Sequence, residues 1–176
     1  MRNLSSILIL ASLLAFTACQ SGNQTDTEEA PPLPNNQVDI PASWSALFNP
    51  NSGVFRGVDF TMTQEQVATA ESAEKVSEAA GSATYTLDLN ENEFADIHYS
   101  FAEGNLQKMQ VDVFSSDAAS AEAAGEELTN LFNAKYQSRS NLWDGSEKGV
   151  NFTAFVKVFD SEENPGMTIV WERMQN

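Results

Sequence analysis

Phe94-Ala95-Asp96-Ile97-His98-Tyr99-Ser100-Phe101 alternates strictly between two faces. Ala95, Ile97, Tyr99 and Phe101 fall on one side, and Phe94, Asp96, His98 and Ser100 on the other. Side chains repeat every second residue along a strand, so this run reads as a β-strand. Glu103-Gly104-Asn105 then turns the chain back as a tight hairpin. In the returning run Met109, Val111 and Val113 face one way, and Lys108, Gln110, Asp112 and Phe114 the other. Two adjacent alternating runs define an antiparallel pair with one face packed and one face open.

The same pattern extends outward in both directions. Upstream, Ala83, Tyr85 and Leu87 alternate with Thr84, Thr86 and Asp88. Before them Thr63-Gln64-Glu65-Gln66 has the spacing of a capping box. It predicts a helix from Gln64 into the seventies, burying Val67, Ala70 and Val76 and ended at latest by Gly81. Downstream, a second helix is expected from Ser116, with Ala124, Leu128, Leu131 and Phe132 as its core stripe. Strands follow at Arg139 to Trp143, Val150 to Phe159, and Met167 to Trp171, with Asn164-Pro165-Gly166 as the last turn. The order helix, three strands, helix, three strands predicts an α+β fold of two layers. Both helices cover one face of an antiparallel sheet, built as tandem α-β-β-β repeats.

The N-terminus reads differently. Arg2 precedes an apolar run from Leu4 to Leu14, shorter than the about 20 residues that span a bilayer. Phe16-Thr17-Ala18-Cys19 ends it and holds the only cysteine. This stretch resembles the lipobox of bacterial lipoproteins. The resemblance implies that residues 1–18 are a cleaved signal peptide and that Cys19 carries the lipid, usually including palmitate. Gln20 after the cysteine implies sorting to the outer membrane of a Gram-negative envelope, periplasmic or surface-exposed. Residues 19–38 are polar and Pro-rich and are expected to form a disordered tether, leaving 39–176 as a single domain.

Removing residues 1–18 takes away Arg2, so 8 basic residues face 25 acidic ones, a formal charge of -17. Such a field repels phosphate backbones and excludes nucleic acid as a partner. Acidity of this kind serves solubility or suits a basic partner. Met62-Thr63-Gln64-Glu65-Gln66-Val67 also resembles the helix opening of small outer-membrane lipoproteins of the SmpA/OmlA type, whose fold is similar to half of a tandem-repeat β-lactamase-inhibitor protein. Thr61 stands where that motif has glycine. The resemblance implies protein binding without catalysis.

Three groupings invite a chemical reading. Asp96, His98 and Ser100 share a strand face, but same-face neighbours lie about 6.6 Å apart, too far for a triad. Asp88-Leu89-Asn90-Glu91-Asn92 begins like a calcium loop, yet Glu93 stands where glycine is required and Tyr99 where glutamate is. Asp160-Ser161-Glu162-Glu163 is a further acidic turn. No cofactor, metal or catalytic residue is therefore assigned. The remaining signal is aromatic. If Ile97, Val111, Val156 and Ile169 face the helices, then Phe94, Phe114, Phe155 and Phe159 point away. They form a partner-binding surface, or else Trp44, Phe48 or Phe55 folds back over them. The expectation is a non-enzymatic, lipid-anchored module that binds an envelope protein. An inhibitor or immunity-type protein capping a basic partner is one alternative, and a small hydrolase built from scattered carboxylates is another.

Overall fold

The computed structural model describes residues 32–160 and 164–175. A single turn of 3-10 helix at Ala42–Trp44 opens the folded part. Then follow α1 (Gln64–Ala70), β1 (Glu74–Ala79), β2 (Ser82–Asn90), β3 (Glu93–Ala102) and β4 (Asn105–Phe114). After these come α2 (Ala118–Lys135), β5 (Gln137–Arg139), β6 (Leu142–Glu147), β7 (Val150–Asp160) and β8 (Pro165–Arg173). The eight strands form one antiparallel sheet in the order β1-β2-β3-β4-β8-β7-β6-β5. The fold is mixed α+β, as expected from the alternation.

The register follows the period-2 pattern. Ala95 pairs with Val113, Ile97 with Val111 and Tyr99 with Met109. Val111 pairs in turn with Ile169, and Ile169 with Val156. The β3–β4 turn uses Glu103 and Gly104, both at positive φ, which suits the twist of a two-residue hairpin. Ala95, Ile97, Tyr99, Met109, Val111, Met167, Ile169 and Trp171 are buried on the inner face. Trp171 is the hub of that core. Phe55 stacks on it at 4.9 Å, while Phe48 and Phe132 approach at 6.4 and 5.6 Å. Such aromatic pairs add about 0.5–1.5 kcal/mol each beyond their buried area. Leu128 and Phe132 bring α2 into the same cluster, and Gly125 lets α2 approach β7, since a Cβ there would overlap the Val158 methyl.

Several elements differ from expectation. The helix opened by Thr63 has its capping box, with Gln66 N–H donating to Thr63 Oγ1 and Thr63 N–H to Gln66 Oε1. It stops at Ala70, however, and does not enter the seventies. The Glu71 carboxylate accepts the amides of Ser72 and Ala73, both at 2.8 Å, and turns the chain into an extra strand, β1. Val76 therefore lies 61% exposed on that strand and is not buried in a helix. The second N-cap is Asp117, one residue later than Ser116. The strand expected from Arg139 to Trp143 is a hairpin between β5 and β6, with Ser140 at φ 57. Each helix is thus followed by four strands, where three were expected.

The chain also docks earlier than residue 39. Asn36 N–H donates to the Lys135 carbonyl at 2.9 Å, Asn35 Nδ2 donates to Glu147 at 2.6 Å, and Asn51 Nδ2 donates to the Val38 carbonyl at 3.0 Å. The expected tether therefore gives way to the folded part by Asn35. Cys19 and the signal segment lie outside the described residues. No helix among the described residues is long and apolar enough to cross a membrane.

Candidate binding face of the sheet

The outer face is built by the side chains that the alternation turns away from Trp171. Cross-strand register sorts them into rows. Asp88 pairs with Phe94, Phe94 with Phe114, Phe114 with Gly166, and Gly166 with Phe159. The Phe94 and Phe114 rings stack at 4.6 Å with an interplanar angle of 18°. Phe114 meets Phe159 edge-on at 6.5 Å, across the gap that Gly166 leaves. That gap is required. A Cβ on Gly166 would lie 3.0 Å from the Phe159 ring and overlap the Val113 carbonyl. Three of the four expected phenylalanines thus form one continuous aromatic row. Phe155 stands apart, about 13 Å along the strand from Phe159 by residue spacing, where it pairs with the buried Val170.

Trp44, Phe48 and Phe55 do not cover this row. All three are at most 4% exposed, and Phe48 and Phe55 pack around Trp171 on the inner side. Phe94 remains 41% exposed.

Between the aromatic row and Phe155 runs a polar row, in which Asp96 pairs with Asp112, Asp112 with Thr168, and Thr168 with Lys157. Asp112 is well supplied with donors. Thr168 Oγ1 lies at 2.6 Å, Gln110 Nε2 at 2.9 Å and His98 Nε2 at 3.4 Å. The Asp96 side chain has no hydrogen-bond or ion-pair partner among the described residues. His98 Nδ1 lies 3.2 Å from Thr84 Oγ1, so both imidazole nitrogens face neighbouring strands and neither serves Ser100.

The loop from Asp88 to Asn92 is a hairpin turn, held by Asn90 Nδ2 donating to Glu93 at 2.6 Å and Asn92 N–H donating to Asn90 Oδ1 at 3.0 Å. No group of three or more His, Cys, Asp or Glu side chains suited to a metal ion occurs among the described residues. Ser161, Glu162 and Glu163 lie outside them. A cleft of about 540 Å³ beside α2 carries Glu93, Glu126 and Glu127 and no cationic side chain. Glu127 there already accepts from Ser43 Oγ at 2.8 Å and Trp44 Nε1 at 2.7 Å.

The strongest electrostatics are internal and were not read from the sequence. Arg56 Nη2 sits 2.8 Å from Glu71 Oε1, with both side chains almost fully buried. Arg56 also donates to the Ala46 and Leu47 carbonyls, and Tyr99 Oη donates to Glu71 at 2.7 Å. Burial pushes the Glu71 carboxyl up, but hydrogen bonds from Arg56, the Ala73 amide and Tyr99 outweigh it and hold its pKa below the ordinary value. Asp59 follows the same logic: burial raises its pKa, while Lys148 and Thr61 bring it below the usual range. Both networks are saturated, and both pin the segment from Leu47 to Phe60 onto the core.

No protein-family model matches this chain, and comparison with curated proteins and with solved structures returns no match.

Proposed function

We propose that the chain is a lipid-anchored envelope protein whose domain binds a protein partner through the outer face of its sheet. The observation that carries this reading is the continuous row Phe94, Phe114 and Phe159, in which Phe94 is 41% exposed and Phe114 and Phe159 are half-buried, while the other aromatic clusters among the described residues pack inside. Exposed, contiguous aromatic surface is costly in a free protein and marks interaction sites. In this reading residues 1–18 are a signal peptide and Cys19 takes the lipid, acting with the tether to hold the domain at the outer membrane of a Gram-negative cell. The partner is a protein of the same envelope, and the domain is an accessory rather than a catalyst.

The same reading takes the domain as two layers and as a tandem duplication. The strand order β1-β2-β3-β4 against β8-β7-β6-β5 is what two copies of a helix-plus-four-strand unit give when joined through β4 and β8.

Affinity capture from solubilised native envelopes tests the binding claim. The wild-type bait is compared with a folded triple variant, Phe94→Ser, Phe114→Ser and Phe159→Ser. A partner retained by wild type and lost by the variant is the expected result. Equal retention by both would remove the face from the account.

A further inference from the structure

A helix leaves its last four carbonyls without partners of its own. In α2 two of these are met by the segment through which the chain enters the domain. Asn36 Nδ2 donates to the Ala134 carbonyl at 3.1 Å, and Asn36 N–H to the Lys135 carbonyl at 2.9 Å. Beside it Asn35 Nδ2 donates to Glu147, at the end of β6, at 2.6 Å. Asn51 Nδ2 holds the Val38 carbonyl, and Val38 and Ile40 pack partly buried against the core. Residues 35–40 are therefore a clamp that fixes where the chain leaves the domain.

The clamp and the aromatic row lie at opposite ends of the sheet. Glu147 pairs with Val150, the first residue of β7, and Phe159 comes nine residues later on the same strand. At strand rise the two are about 30 Å apart. α2 runs the same way, from Ala118 just past Phe114 to Lys135 at the clamp.

Exposed aromatic rings suit a membrane interface as well as a protein, and two features of the ends decide between these occupants. The first is length. From Pro32, where the described chain begins, back to Cys19 is 13 residues. A polar tether of that length spans about 20 Å on average, less than the about 30 Å that separates clamp from row. The second is charge. Lys108, Lys135, Lys148 and Arg173 lie at the clamped end and offset Glu103, Glu147 and Glu172 there. At and beyond the aromatic row stand Asp88, Glu91, Glu93 and Asp117, with no Lys or Arg among the described residues. An end of that charge is repelled by anionic headgroups.

We propose that the clamp makes the Lys135–Glu147 end the lipid-facing end of the domain and presents the aromatic row to a protein arriving from the aqueous side, not to the lipid surface. This rests on the binding reading above and names the side from which the partner comes.

Relaxation of a nitroxide spin label by Ni²⁺ chelated on lipid headgroups tests it, using the full chain in nanodiscs that carry the chelating lipid. The label sits on Glu91→Cys beyond the row or, in a second protein, on Asn151→Cys near the clamp, both exposed positions. Cys19 carries the lipid in this reading, so the introduced thiol is the one labelled. The effect falls steeply with distance, so the label at 151 is expected to relax several-fold faster than the label at 91. Asn35→Ala combined with Asn36→Pro removes both amide side chains and the Asn36 N–H. In a variant shown to melt cooperatively, it should shrink that difference. Equal relaxation at the two positions, or faster relaxation at 91, overturns the proposal. A difference left unchanged by the clamp variant overturns the role of the clamp. A chain that does not stay on the nanodisc lacks the anchor, and this inference falls with it. A face-dependent partner in the envelope capture, with the two labels relaxing equally, would leave the binding reading standing and this inference fallen.

Discussion

Glu71 is the residue on which the N-terminal half closes. One carboxylate terminates α1, takes the guanidinium of Arg56 and accepts the hydroxyl of Tyr99. Glu71→Gln leaves Arg56 buried and unpaired, and breaking such a pair costs about 3–5 kcal/mol. Urea unfolding near neutral pH should report a loss of that size. The sign of the pH dependence is also fixed. A carboxyl held below its ordinary value of 4.5 contributes stability that is complete above that value and is lost as pH falls through the lowered one. Wild type should therefore lose more stability than Glu71→Gln as the pH falls below 4.5. Parallel pH curves for the two proteins would contradict this account of Glu71. At this scale the sequence was least legible. Arg56 and Glu71 are 15 residues apart and carry no motif, and the positive φ of Arg56 is a consequence of tertiary contacts.

At the scale of elements, legibility tracked burial. β3, β4, β7 and β8 have two distinct faces, so their alternation is written into Phe94 to Phe101, Leu106 to Phe114, Phe152 to Phe159 and Met167 to Trp171. β1 has none, since all six of its residues are exposed and Glu-Lys-Val-Ser-Glu-Ala fits a helix as well as an edge strand. Val76 is the position where the two readings diverge. As a helical core residue, Val76→Ser would cost well over 1 kcal/mol, but on the exposed edge it should change stability by no more than about 0.5 kcal/mol. Thermal melts of the single variant distinguish these outcomes. The aromatic row was half legible for a related reason. Period 2 places Phe94, Phe114, Phe155 and Phe159 on one face. Only register reveals that Gly166 joins three of them and that Phe155 sits two rows away.

For the whole molecule, β4 and β8 are the seam between two runs of four strands, and everything that distinguishes the inner face from the outer follows from Trp171. Trp44, Phe48 and Phe55 had equal chemical reason to cover either face. Phe48 and Phe55 pack with Phe132 against Trp171, and Trp44 packs on Phe48, so none of the three lies over the aromatic row on the opposite face. The central claim is that this row is where a partner sits. Site-specific photo-crosslinking in native envelopes tests it most directly, with a photoreactive side chain placed at position 94 or, in a second protein, at position 76. Among the described residues these are the two exposed large hydrophobic positions, one on the outer face and one on the β1 edge. A discrete protein adduct from position 94 and none from position 76 is the predicted result. Adducts from position 76 alone, or from neither, would contradict it.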